Sequence, residues 1–233
     1  MSPLSNRLNI GEEAFAVVVA DGEGGLGDLY AIPGGGGVPL QITFSRVDES
    51  YPALTSDGSV IAFIRGGLKS GTQPVVVLMN LLNGAERRVE LPEGEAPVRV
   101  AWSVDQSRIF IRTSKGLYAV GAPPRTPDLA AVAAADSASA DSALNAVLGD
   151  PAIAIAGTCR SGKGVCARSD TDETLLDSLG RDPVRWGPDS VAYVSGNLLE
   201  VLSLGGGHVR EVRPSRELKG VRQPTYAAGP GRR

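Results

Sequence analysis

Histidine is almost missing from this chain. His208 is the only one in 233 residues, which severely limits histidine-based catalysis and rules out a multi-histidine metal site within it. Cysteine is limited to Cys159 and Cys166, and two thiols without histidine partners do not make a zinc site. Lysine is scarce too, with 4 against 19 arginines among the 23 basic residues. No run approaches the ~18 apolar residues of a membrane helix. The start, Met1-Ser-Pro-Leu-Ser-Asn-Arg7, lacks a basic segment followed by an apolar one, so no secretory leader is expected. No Gly-x-Ser-x-Gly elbow occurs, so no catalytic residue is nominated. The formal charge of −3 and pI near 5.3 argue against a general nucleic-acid binder.

What the chain has in quantity is turns. Thirty glycines and 16 prolines suit many short strands joined by tight connections. One phrase stands out: Pro52-Ala-Leu-Thr-Ser-Asp57-Gly58-Ser-Val-Ile-Ala-Phe63. Asp57 bonds its own backbone and Gly58 accepts positive φ, so the pair marks a turn. The apolar run after it reads as a buried strand. Degenerate copies keep Trp102 and Asp105, then Trp186 and Asp189. Markers at Glu12, Asp57, Asp105, Asp150, Asp189 and Pro230 are spaced 45, 48, 45, 39 and 41 residues apart. Four strands with their turns need about 40–45 residues, the period of one propeller blade. The expectation is one all-β domain over residues 1–233 in five four-stranded blades. A sixth is the alternative if Leu4–Ile10 adds strands. The Ala/Ser-rich segment 128–147 is an irregular part of that domain, with a linker as the other reading.

Several motifs invite chemistry. Gly157-Thr-Cys-Arg-Ser-Gly162-Lys163-Gly164 nearly spells a phosphate-binding loop, but Gly164 stands where a hydroxyl should hold magnesium and no helix pattern follows. A hairpin turning at Gly162-Lys163 accounts for the glycines. Asp170, Asp172 and Glu173 resemble calcium ligands, yet Leu175 and Arg181 occupy positions that an EF-hand gives to Gly and Glu. Trp102 and Trp186 share one repeat position and read as core. No cofactor and no metal are implied. Cys159 and Cys166 flank the hairpin turn symmetrically, which would set them opposite each other within disulfide range. Reduced, half-buried thiols are the alternative.

The Ser-Asp-Gly-x-x-Ile-Ala-Phe phrase resembles the repeat of TolB-like propellers, akin in style to WD-repeat and prolyl-oligopeptidase propellers. The resemblance implies that the Trp-Ser lead-in is the innermost strand of a blade. Gln223–Ala228 would then complete the first blade and close the ring, leaving no exposed edge. The family's frequent setting outside the cytoplasm favours the disulfide and a periplasmic or extracellular location, with the cytoplasm as the alternative. The same strand order would put the loops between second and third strands on one end of the ring. There Arg65 with Lys69, Arg112 with Lys115, and Arg160 with Lys163 would form a basic arc, beside an acidic sector of Asp21, Glu23 and Asp28. The functional expectation is a monomeric, non-enzymatic scaffold with a protein partner, no nucleic acid and no membrane insertion. The alternatives are a channel-centred hydrolase or lyase and the gating propeller of a peptidase.

Overall fold

A computed structural model describes residues 10, 13–103, 105–123, 129–134, 144, 156–168, 172–186, 190–203, 209–214 and 216–228. Strands β1 (Phe15–Asp21), β2 (Gly27–Pro33) and β3 (Leu40–Gln41) run outward in one sheet. The next sheet holds β4 (Glu49–Leu54), β5 (Val60–Gly67), β6 (Thr72–Asn80) and β7 (Glu86–Val89). It is followed by β8 (Pro97–Trp102), β9 (Arg108–Thr113), β10 (Gly116–Gly121) and β11 (Ala130–Ala134). Then come β12 (Ala156–Thr158), β13 (Val165–Arg168) and β14 (Glu173–Asp177). The last consecutive set is β15 (Gly180–Arg185), β16 (Ser190–Ser195), β17 (Leu198–Ser203) and β18 (Val209–Val212). The final strand, β19 (Arg222–Ala227), returns to pair antiparallel with β1. The described residues thus form five antiparallel sheets. The extra strands expected from Leu4–Ile10 fall almost wholly outside the described residues, as does the weak strand Asn145–Gly149.

The sheets pack face to face, and β1 shows why. Its continuous apolar run has no polar side because both faces are covered. Phe15, Val17 and Val19 pack with Ile61, Phe63 and Val77 of the second sheet. The alternate residues Ala16, Val18 and Ala20 pack with Ala192, Val194 and Leu199 of the last consecutive sheet. Period-2 side-chain alternation makes one strand serve two interfaces. Strand β19 touches β4 on one side and β15 on the other, and β4 touches β8, so the innermost strands stand side by side. The Ala-rich β11, weak as a sequence signal, pairs with β10. Backbone pairing overrides the helical preference of alanine there.

The repeated turns do the work expected of them. Asp57 Oδ1 accepts from the Thr55 hydroxyl at 2.7 Å and the Ser59 N–H at 3.0 Å. Gly58 sits at φ +74, where a Cβ would come within 2.5 Å of the Phe15 ring. Asp105 repeats the arrangement, accepting from the Ser103 and Ser107 hydroxyls at 2.6 and 2.8 Å. Gln106, in place of the glycine, takes φ +57. Trp102 is buried and its indole N–H donates to the Ala53 carbonyl at 2.9 Å, bridging two sheets. Trp186 is buried and stacks on Tyr226 with centroids 4.2 Å apart. Asp189 lies outside the described residues.

Innermost strands carry a device that the sequence reading missed. Tyr51, Asp182 and Gln223 have φ of +50, +51 and +49, and each precedes a proline. Register shifts fall at these points in β4, β15 and β19. The bulge lets each strand continue past Pro52, Pro183 or Pro224, residues with no N–H to offer a ladder. The bulges are also linked across sheets. Tyr51 N–H donates to Gln223 Oε1 at 2.7 Å, and Gln223 N–H donates to Asp182 Oδ2 at 2.9 Å.

Candidate functional site

Strand alternation sends the β1–β2, β5–β6, β9–β10 and β12–β13 hairpins to one end of the ring. The connections entering β4, β8, β15 and β19 reach the same end. Of the six residues expected to form a basic arc, Lys69, Lys115, Arg160 and Lys163 are exposed there. Arg65 and Arg112 are not free surface cations. Arg65 Nε meets Glu49 Oε1 at 2.9 Å, while its two terminal nitrogens grip Glu86 at 2.6 and 2.8 Å. Its guanidinium also lies 5.1 Å from the centroid of the Phe63 ring. Arg112 is buried at 4% exposure. The reason is positional: both lie on strands, in β5 and β9, rather than in the hairpin tips.

The Glu49–Arg65–Glu86 cluster shows its electrostatics in opposite directions. Burial pushes the Glu49 carboxyl above its ordinary range, against the pull of Thr43, Arg65 and Ser45. Glu86 is held low, chiefly by its bond to Arg65. Arg65 is raised, first by Glu86. Register sets Glu49 opposite Arg65, whereas Glu86 pairs with Met79, in line with Ile61, and is met by the Arg65 side chain lying over Phe63.

The acidic sector is rearranged as well. Asp21 is held by Arg222, with Nη1 to Oδ1 at 2.9 Å, which ties β1 to the closing strand. Asp48 accepts the Gly27 N–H at 2.7 Å. Asp28 is buried at 4% exposure, and its Oδ2 accepts from Gln41 Nε2 at 3.0 Å. Burial raises its pKa, with the Gln41 bond opposing. Asp28 lines a cleft of about 940 Å³ between the β1–β2 and β3–β4 connections, together with Asp21, Tyr30, Phe44, Arg46 and Arg216. Tyr30 is raised by burial and by Asp28, while Arg216 pulls the other way. Sequence gave one usable signal for this place, a carboxylate at the head of an apolar strand.

Cys159 and Cys166 form a disulfide with Cα atoms 5.0 Å apart. The expected direct opposition is corrected. The ladder pairs Cys166 with Gly157, while the Cys159 N–H donates to the Gly164 carbonyl. The tip is Arg160–Lys163, so the hairpin is centred one position earlier than the symmetric reading and the cysteines are diagonal. Glu173 accepts the Arg160 N–H with both oxygens, at 3.0 and 3.1 Å, pinning the tip from β14. Asp172 and Glu173 join no group of three or more potential ligand side chains among the described residues. Among the described residues, no helix is long and apolar enough to cross a membrane. His208 lies outside the described residues.

No family model matches this sequence. No curated protein matches it either. Solved structures do match by shape. A chain of the nidogen/laminin complex is similar over 92% of this chain and 98% of its own, with TM-score 0.56 and 8% identity. TolB from Acinetobacter baumannii is similar over 94% of this chain and 67% of its own, with TM-score 0.42 and 15% identity. A TolB from Agrobacterium tumefaciens covers 88% of this chain at TM-score 0.43 and 16% identity, and this chain spans 62% of its length. The likeness to the nidogen/laminin chain is one of fold, and the sheets described above have the same character: the chain is an all-β propeller.

Proposed function

We propose that this propeller is a non-enzymatic binding module whose hairpin end receives an acidic protein partner within an extracytoplasmic assembly. The observation that carries the reading is the exposure of Lys69, Lys115, Arg160 and Lys163 on the hairpins of three successive sheets. The overall charge is −3, so cations gathered at one end make a local field that steers an acidic surface. Exposed Phe44, Leu68 and Leu179 stand at the same end and offer apolar contact beside the cations. The propeller compared above was solved in a complex of nidogen with laminin, which supports protein binding as a use of this architecture. The Cys159–Cys166 bond supports an oxidising compartment, where disulfides persist.

The test is capture of partner from a native extract by the wild-type chain and by a Lys69→Glu, Lys115→Glu, Arg160→Glu, Lys163→Glu variant. Arg65 is left alone, because reversing it would leave Glu49 and Glu86 facing a third carboxylate and confound binding with stability. The variant should melt like the wild type, lose most capture at low salt, and show a flatter salt dependence. Equal capture by both proteins at low salt would remove the basic end as the docking surface.

A further inference from the structure

The cleft on the first sheet is built differently from the basic hairpin tips. Its floor is the Asp28 carboxylate, at the head of β2. One oxygen is satisfied by Gln41, while the other, Oδ1, is buried without a hydrogen-bond partner. A buried carboxylate oxygen left unpaired is costly, and a donor that reached it would recover that cost. Above it lies Gly22, and a Cβ there would fall 2.0 Å from Asp28 Oδ2. Only a bare Cα leaves the carboxylate its place. The loop continues through Gly24 and Gly25, both at positive φ with open space where a Cβ would stand, so no side chain from these positions crowds the cleft.

The rim has the opposite charge. Arg46 and Arg216 are exposed and line the same cleft, one from the β3–β4 connection and one from the β18–β19 connection. Tyr30 lines the cleft with them, within electrostatic reach of both Asp28 and Arg216. Asp21, the other lining carboxylate, is already committed to Arg222. The cleft therefore offers one acceptor in need of a charged donor and two guanidiniums able to grip a carboxylate. A divalent ion does not suit it, because no group of three or more candidate ligands converges among the described residues.

We infer that this cleft binds a small zwitterion, an amino acid or short peptide, with its ammonium on Asp28 and its carboxylate between Arg46 and Arg216. The cleft adjoins the proposed docking end, where Phe44 belongs to both, but its polar groups are none of the four hairpin cations, so Asp28 and Arg216 can be changed without touching Lys69, Lys115, Arg160 or Lys163.

Thermal-shift and calorimetric titrations of the full chain test this with 4-aminobutyrate, set against butylamine, butyrate and glucose. The zwitterion should bind saturably and raise the melting temperature, while each single-charge analogue binds about ten-fold more weakly or worse. Asp28→Asn keeps the shape and an acceptor for Gln41, and should weaken 4-aminobutyrate by about ten-fold or more. Arg216→Gln, on an exposed side chain that cannot threaten the fold, should weaken 4-aminobutyrate and leave butylamine unchanged. Saturable binding of glucose in place of the zwitterion would overturn the assignment in favour of a polyol site. Undiminished affinity in Asp28→Asn or Arg216→Gln, or no saturable binding of 4-aminobutyrate, would also overturn it.

Discussion

At the scale of the residue, the two copies of the aspartate turn form a natural comparison. Gly58 is tied to its place twice, by φ +74 and by the Phe15 ring 2.5 Å from where a Cβ would stand. Gly58→Ala should therefore cost at least about 2 kcal/mol, combining left-handed strain with overpacking. Gln106 holds the equivalent position at φ +57 with a side chain. Gln106→Gly should stabilise the protein by about 0.5–1 kcal/mol, since relief of strain outweighs the added freedom of the unfolded chain. Thermal or urea unfolding of both variants checks the two signs together. Asp105 offers a third measurement. Hydroxyls of Ser103 and Ser107, with the Ser107 N–H, hold its carboxyl down at about 2. Its folded value lies below its unfolded one, so its contribution is complete above the ordinary carboxylate range and fades as pH falls towards 2. Carbon-detected NMR titration should find that midpoint, and Asp105→Ala should flatten the acid limb of the stability profile.

At the scale of the element, the β12–β13 hairpin and the proline bulges are the parts to perturb. The disulfide closes a loop of sequence separation 7, so replacing both cysteines by serine should cost at most about 2–3 kcal/mol. Glu173 continues to hold the tip, and the hairpin should persist in hydrogen exchange. Protein recovered from its native compartment with two free thiols would undo the oxidising location. The bulge chain is a separate test. Gln223→Ala removes the acceptor of the Tyr51 N–H and should cost about 1 kcal/mol, read as a lower denaturation midpoint with an unchanged slope. The two elements differ in how far sequence could see them. The hairpin was legible because Gly162 and Gly164 sit between apolar runs, and only its register was misjudged by one position. The bulges were not, because Pro52, Pro183 and Pro224 ordinarily mark the edge of a strand. The expected closing strand, Gln223–Ala228, accordingly crosses Pro224 with nothing to mark the bulge there. At Pro52 and Pro224 the residue before the proline is held by a side chain from the neighbouring sheet, far away in sequence. The Glu49–Arg65–Glu86 cluster escaped for the same reason, since it joins residues of three strands and no local motif announces it.

At the scale of the whole molecule, the periodic markers were the readable part, because a repeated sheet needs a repeated length of chain. The open question at this scale is how much depends on the last strand. Strand β19 supplies the inner edge of the first sheet and spans three neighbours. It pairs with β1, while its Thr225 hydroxyl accepts the Leu54 N–H from β4 at 3.0 Å and Gln223 N–H reaches Asp182 in β15. Arg222 adds the ion pair with Asp21. Removing the strand would bare the edge of β1, whose residues Phe15–Ala20 are buried, and would strip Ala227 and Tyr226 from two interfaces at once. Deleting residues 222–233 should therefore lower the stability of the entire domain in one cooperative step, with increased aggregation through the open edge. Deleting only residues 229–233, which lie beyond the strand, supplies the control for chain length and should leave the melt unchanged. A longer truncation that melts like the intact chain would show that the ring does not depend on its closing strand.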